Sequence, residues 1–205
     1  IDAAVDAEPR SRAARQNPIT EVMRLFSQPP ALRYLAEPLE QRRLLSSGGW
    51  DVALIDKTLP AEHVLERAMV GGGRVILYDG RRESPHEVLS RVLEWAHDSG
   101  CTIQSVSLFS HASAGRFALG NEWISKSSVD EIATDLRRLG DVLCNDGSIN
   151  VYGCNLADRL GDGQALIDKI AGLTHVPVFA SDDLTGRGGD WLLEASSISS
   201  SDNGL

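Results

Sequence analysis

RVILYDGRRESPHEVLSRVLEWAHDSGCTIQSVSLF, residues 74–109, spells a strand, a helix and a second strand in succession. Arg74–Tyr78 is a short apolar run of buried-strand length. Ser84–Pro85–His86–Glu87 is a helix start. The serine hydroxyl suits the backbone N–H three residues on, proline suits the first turn, and the glutamate can reach back to the cap. Val88, Leu89, Val92, Leu93 and Ala96 fall on one helical face, and Gly100 supplies a residue that ends a helix. Ile103–Phe109 is the next strand. Such a unit predicts parallel strands joined by a right-handed crossover.

The same alternation continues in both directions. Upstream, Val52–Ile55 reads as a buried strand and Ala61–Met69 as a helix. Downstream, Gly120–Asn121 is a two-residue hairpin signal between Arg116–Leu119 and Glu122–Ile124. Ser128–Val129–Asp130–Glu131 has the spelling of a second capping box, opening a helix with Ile132, Leu136, Leu139 and Leu143 on its apolar face. Ser148–Tyr152 is a strand, about Gly163–Leu173 a helix, Val176–Ala180 a strand, and Trp191–Leu193 a last strand. The expected architecture is α/β, a mostly parallel central sheet with helices on both faces, over residues 50–195. Residues 1–49, with Pro9, Pro18, Pro29, Pro30 and Pro38 and scattered arginines, read as a leader or linker. Residues 196–205 (SSISSSDNGL) read as a flexible linker.

Composition narrows the function. The chain has 205 residues, 42% of them hydrophobic, enough for one domain with a sizeable core. A net charge of −9 argues against nucleic acid and against an anionic membrane surface, both of which need clustered Lys and Arg. The apolar runs are too short for membrane insertion. The three cysteines, Cys101, Cys144 and Cys154, cannot all pair with one another, and no CxxC or HxxxH spacing suggests a structural zinc site. Gly71–Gly72–Gly73 precedes a strand, whereas a phosphate-binding loop follows one.

Chemistry in an open parallel sheet collects outside the carboxyl ends of the strands. His111 closely follows the strand ending at Phe109, and Cys154 follows the strand ending at Tyr152. If those strands are neighbours, a thiol and an imidazole share one crevice as nucleophile and base. Two alternatives stay open on the residues alone. Cys154 as a small buried hydrophobe and His111 as a hydrogen-bonded structural residue is the plainer reading, and His175 is a rival base. An α/β-hydrolase elbow is disfavoured, because Tyr152 and Leu156 stand where it needs glycines. Asp182, Asp183 and Asp190 bracket a Gly-rich loop. Two chemistries are open to them besides plain solvation: holding Ca²⁺, without EF-hand spacing, or lining a pocket for a basic side chain. Asp56, Asp79, Asp183 and Asp190 all fall near strand ends or loops where a carboxylate pocket for arginine would form. No metal site is assigned and no cofactor is required, with calcium the one optional ion.

SLFSHASAG (107–115), a hairpin, a helix and NVYGCNLAD (150–158) together resemble the active-site arrangement of the caspase–gingipain clan of cysteine peptidases. There a His-Gly pair follows one strand and a small-residue–Cys pair the next. The resemblance implies a three-layer caspase-like fold, His111 as base, Cys154 as the nucleophile attacking a peptide carbonyl, and the backbone N–H groups of Ala112 and Cys154 facing the oxyanion. A second resemblance is carried by DVALIDKTLP (51–60), SLFSHASAG, INVYGCNLAD (149–158) and ASDDLTGRGGDWLLE (180–194), with LEQRRLLS (39–46) ahead of them. These are similar to a domain near the N-terminus of giant bacterial surface proteins that carry cadherin-like or calcium-binding repeats. That implies a secreted or cell-surface adhesin context. The expected activity is that of a cysteine endopeptidase-like domain acting on polypeptide. Its first substrate would be its own leader, with arginines at 10, 12, 15, 33, 42 and 43. One position departs from the clan pattern: Ala112 replaces the glycine. Alanine keeps the N–H donor but lacks glycine's tolerance of positive φ and close approach. The second expectation is therefore a catalytically silent module supporting export, surface retention or adhesion.

Overall fold

The computed structural model describes residues 49–60, 62–69, 73–186 and 189–197. The leader up to residue 48, its arginines, and the end of the exit segment lie outside the described residues. In chain order the elements are β1 (Trp50–Asp56), α1 (Glu62–Met69), β2 (Arg74–Tyr78), α2 (Pro85–Ser99) and β3 (Ile103–Phe109). Then come β4 (Ala112–Ser113), β5 (Arg116–Leu119), β6 (Glu122–Ser125), a 3₁₀ turn (Val129–Ile132), α3 (Ala133–Val142), β7 (Leu143–Tyr152), α4 (Gly163–Thr174), β8 (Val178–Ala180) and β9 (Ala195–Ser196).

The central sheet has the order β2–β1–β3–β7–β8–β9. Its first five strands are parallel, and β9 closes the edge antiparallel to β8. Strands β4, β5 and β6 form a small separate antiparallel sheet. Alternation along β1 sends Val52 and Leu54 to one face and Ala53 and Ile55 to the other. The first face carries the larger core, filled by Val88, Leu89 and Val92 of α2, Leu136 and Leu139 of α3, and Leu166, Ile167 and Ile170 of α4. The second is smaller, with Leu65 of α1 against Ala53, Ile55, Phe109 and Tyr152. The protein is thus α/β with a mostly parallel central sheet and helices against both faces. No helix among the described residues is long and apolar enough to cross a membrane.

Helix α2 starts where its spelling predicts. The Ser84 hydroxyl accepts from the Glu87 N–H at 3.3 Å, and Glu87 accepts from the Ser84 N–H at 2.7 Å. Gly100 ends the helix at φ 63. The second box does not form. Ser128 makes no cap bond; its hydroxyl accepts from the Ser125 N–H at 3.0 Å and donates to the Trp123 carbonyl at 3.3 Å. The preceding hairpin therefore claims the serine, and the chain enters α3 through a 3₁₀ turn, with Leu143 passing to β7.

Three further boundaries move. Strand β8 begins at Val178, not Val176, because Pro177 has no N–H to donate; its carbonyl accepts from Ile149 instead, at 3.0 Å. Trp191–Leu193 is not a strand: its Trp ring turns onto Phe109 and Tyr152, and the last strand falls at Ala195–Ser196. Ser196 and Ser197, read as linker, belong to the domain. Ser197 is buried, its N–H donates to the Val178 carbonyl at 2.8 Å, and its hydroxyl accepts from the Val178 N–H at 3.0 Å.

Candidate functional site at two strand ends

Strands β3 and β7 are parallel neighbours, in register from Ser105↔Ser148 to Phe109↔Tyr152. His111 and Cys154 each lie two residues beyond that last pair, at the carboxyl edge of the sheet. The register continues one step further, because Ser110 N–H donates to the Tyr152 carbonyl at 3.3 Å. The paired rings of Phe109 and Tyr152 stack with centroids 4.7 Å apart. Trp191 leans on both, 6.2 Å from each. The strand ends are thereby fixed on the face opposite the larger core.

Beyond the sheet the two chains touch directly. A Cβ placed on Gly153 would lie 2.5 Å from the Ala112 methyl and 3.2 Å from the Ser110 carbonyl oxygen. Glycine is required at 153 because Ala112 already fills the gap. The His111 ring is exposed and Cys154 is half-buried. Among the described residues no hydrogen bond joins imidazole to thiol; the Cys154 Sγ–H donates instead to the Thr185 carbonyl at 3.7 Å. The structure therefore brings the two residues to one edge, with the thiol turned to the loop after β8.

The backbone conformations are unequal. Asn155, next after the cysteine, is left-handed at φ 57, a conformation asparagine tolerates better than most residues. Its N–H donates to the Asp183 carbonyl at 2.6 Å. The turn it makes leaves the Cys154 N–H without an acceptor among the described residues. Ala112, by contrast, is not among the left-handed residues of the described chain. Ala118 N–H donates to the His111 carbonyl at 2.8 Å, so Ala112, the next residue, occupies the non-hydrogen-bonded position opposite Phe117 and its N–H points away from β5. Alanine at 112 thus carries no φ penalty. Its methyl does lie where a glycine would leave space.

Of the four carboxylates read as a pocket, only Asp56 is deeply buried, 2% exposed. It accepts from the Thr58 N–H at 2.8 Å and the Gly80 N–H at 3.2 Å. Burial, with the Asp56 charge adding to it, pushes the neighbouring Tyr78 phenol far above its usual range. Asp79 accepts from the Arg81 N–H and pairs with Arg82 at 3.7 Å. The Asp190 carboxylate accepts from Leu192 N–H, and that of exposed Asp183 from the Ser181 hydroxyl. Asp79, Asp183 and Asp190 each serve their own turn, whereas Asp56 ties its turn to the one that follows β2. Asp182, Asp183 and Glu194 bring exposed carboxylate oxygens within 4.8 Å of one another. Oxygen ligands of this kind suit a hard cation. His175 is removed as a rival base. It is the left-handed cap at the end of α4 and leads into β8, so it lies at the edge of the sheet opposite Cys154.

Thr185 escaped the sequence reading, since nothing local marks a threonine whose carbonyl faces a thiol 31 positions away. Asn155 was readable, because an asparagine directly after a strand-end cysteine suits a tight left-handed turn.

Residues 52–203 match a protein family described as Domain of unknown function (DUF4347). The match begins inside β1, runs past β9 and includes both His111 and Cys154. No curated protein matches the chain. With most of its length covered, this chain belongs to the DUF4347 family.

Proposed function

We propose that the domain is a cysteine-peptidase-like hydrolase of the caspase–gingipain type, in a secreted or cell-surface bacterial protein. The observation that carries this reading is the register of β3 on β7, which sets His111 and Cys154 at equal steps past paired strand ends. In this reading His111 takes the thiol proton, the Cys154 thiolate adds to a peptide carbonyl, and the N–H groups of Cys154 and Ala112 receive the oxyanion. His111 then returns the proton to the leaving amine, and water hydrolyses the thioester. No cofactor enters these steps. Calcium in this reading is structural, held by Asp182, Asp183 and Glu194 at the two ends of the loop that faces the thiol. The leader is joined to the domain through the chain, and tethering gives it a high effective concentration.

A second reading has its own observation. The thiol is engaged by Thr185 and shares no hydrogen bond with His111. That favours a silent module supporting export, retention or adhesion. Mass spectrometry of the full chain and of Cys154→Ala, incubated with and without Ca²⁺, separates the two. Cleavage that vanishes in Cys154→Ala supports the peptidase, and a basic residue before the cut supports the carboxylate pocket. Identical intact masses in every condition, with no cleavage of a peptide library, favour the silent module.

A further inference from the structure

A cleft of about 530 Å³ opens where the β4–β5 turn meets the loop leading to α4. Its chemistry comes from Arg116, Lys126 and Lys169, the hydroxyl residues Ser125 and Ser127, and one acid, Asp162. The turn and the loop are in tight contact. Gly115 is left-handed at φ 77, its N–H donates to the Leu156 carbonyl at 3.0 Å, and a Cβ there would lie 2.9 Å from the Asp162 nitrogen.

The charges in this wall do not cancel. Lys169 donates to Asp130 at 2.7 Å, and Lys126 lies 4.0 Å from Asp162. Arg116 has no carboxylate partner among the described residues. It is braced instead: its guanidinium carbon lies 4.8 Å from the centre of the Trp123 ring, and its Nε donates to the Ser113 hydroxyl at 3.0 Å. Three cations against Asp162 and Asp130 leave the site with one net positive charge, on a chain whose net charge is −9. A guanidinium held over an aromatic face offers a planar fork, the match for a carboxylate. A dianionic phosphate would exceed the single positive charge and face Asp162.

We propose that this cleft binds a carboxylate group, of the kind a Glu or Asp side chain presents, through Arg116 with Lys126 and the Ser125 and Ser127 hydroxyls around it. The assignment does not depend on thiol chemistry at Cys154. NMR titration of the full chain with Ac-Gly-Glu-Gly-NH₂, with its Gln counterpart and with inorganic phosphate tests it. The Glu peptide should give saturable shifts at the Gly115, Arg116 and Ser127 amides, at least about tenfold tighter than the Gln peptide, as expected for a hydrogen bond to a charged group. Arg116→Gln should weaken binding about tenfold, and Arg116→Lys, which keeps the charge without the fork, should fall between. Lys126→Gln carries the same test should Arg116→Gln fail to fold. Cys154→Ser should leave the shifts unchanged, so loss of peptidase activity and loss of this site are separately visible. Equal binding of the two peptides, no saturable shift, unchanged binding in the folded Gln variants, or phosphate binding tighter than the Glu peptide would each overturn the proposal.

Discussion

The loops leaving β3 and β7 start in register and then diverge. After β3 the chain runs through Ser110 and His111 into another strand, with no left-handed residue, and the His111 ring stands in solvent. After β7 it turns sharply at Asn155, and the loop following β8 takes hold of it. Asp183 accepts the Asn155 N–H at 2.6 Å, Ser181 accepts the Ala157 N–H at 3.0 Å, and Thr185 receives the thiol. The left-handed turn and the hold of a third loop thus lie on the cysteine side. The loop after β8 reaches the cysteine turn through Ser181, Asp183 and Thr185, and no such contact from it is made to His111 among the described residues.

The contact between the two loops is the first place to break this comparison. Gly153→Ala drives a methyl against that of Ala112, an overpacking that costs about 1–3 kcal/mol in denaturant unfolding. Adding Ala112→Gly should recover most of the loss. A Gly153→Ala chain as stable as the parent would mean the loops do not meet there. Next in size is Trp191→Ala, which strips the brace from Phe109 and Tyr152 and should cost about 2 kcal/mol, below the value for a fully buried tryptophan. It should also raise alkylation of Cys154 relative to Cys101; an unchanged ratio would free the segment 181–194 from its assigned hold on the thiol.

Glycine substitutions sharpen the asymmetry itself. Asn155→Gly relieves a left-handed residue and should be neutral or stabilising by up to about 1 kcal/mol, whereas Ala112→Gly in the otherwise native chain should destabilise by about 0.5–1 kcal/mol. Effects in the same direction at both sites would erase the distinction. The smallest effect on the site is expected from the opposite edge of the sheet. Burial raises the Asp51 carboxyl above its usual value, partly offset by the Ser105 hydroxyl. The folded state therefore holds this proton more tightly than the unfolded chain. That stability is present in full below the unfolded value of about 4 and fades as pH rises through the folded one. Asp51→Asn should flatten melting temperature against pH in that window and leave Cys154 alkylation unchanged; a pH profile identical to the parent would remove Asp51 as its cause.

Much of the fold was legible because its signals are local. The Ser84 box, the apolar face of α2 and the strand-ending positions of His111 and Cys154 needed only the spacing of nearby residues. The Ser128 box has the same spelling as the Ser84 box, yet Ser125 and Trp123 of the hairpin compete for its hydroxyl, a contest that no short motif records. Trp191–Leu193 has strand-like composition, but a tryptophan gains more by covering Phe109 and Tyr152 than by joining an edge. The basic cleft left no trace in sequence, since Arg116 and Lys169 lie far apart along the chain and share a wall only once it folds.

The pairing of His111 with Cys154 is tested most directly by alkylation of the folded chain at neutral pH, read residue by residue by peptide mass spectrometry. The expected result is Cys154 labelled faster than Cys101 and Cys144, and slowed at least about tenfold in His111→Ala, because the imidazole supplies the thiolate. Cys154 reacting no faster than the other two thiols, at a rate indifferent to His111, would contradict it.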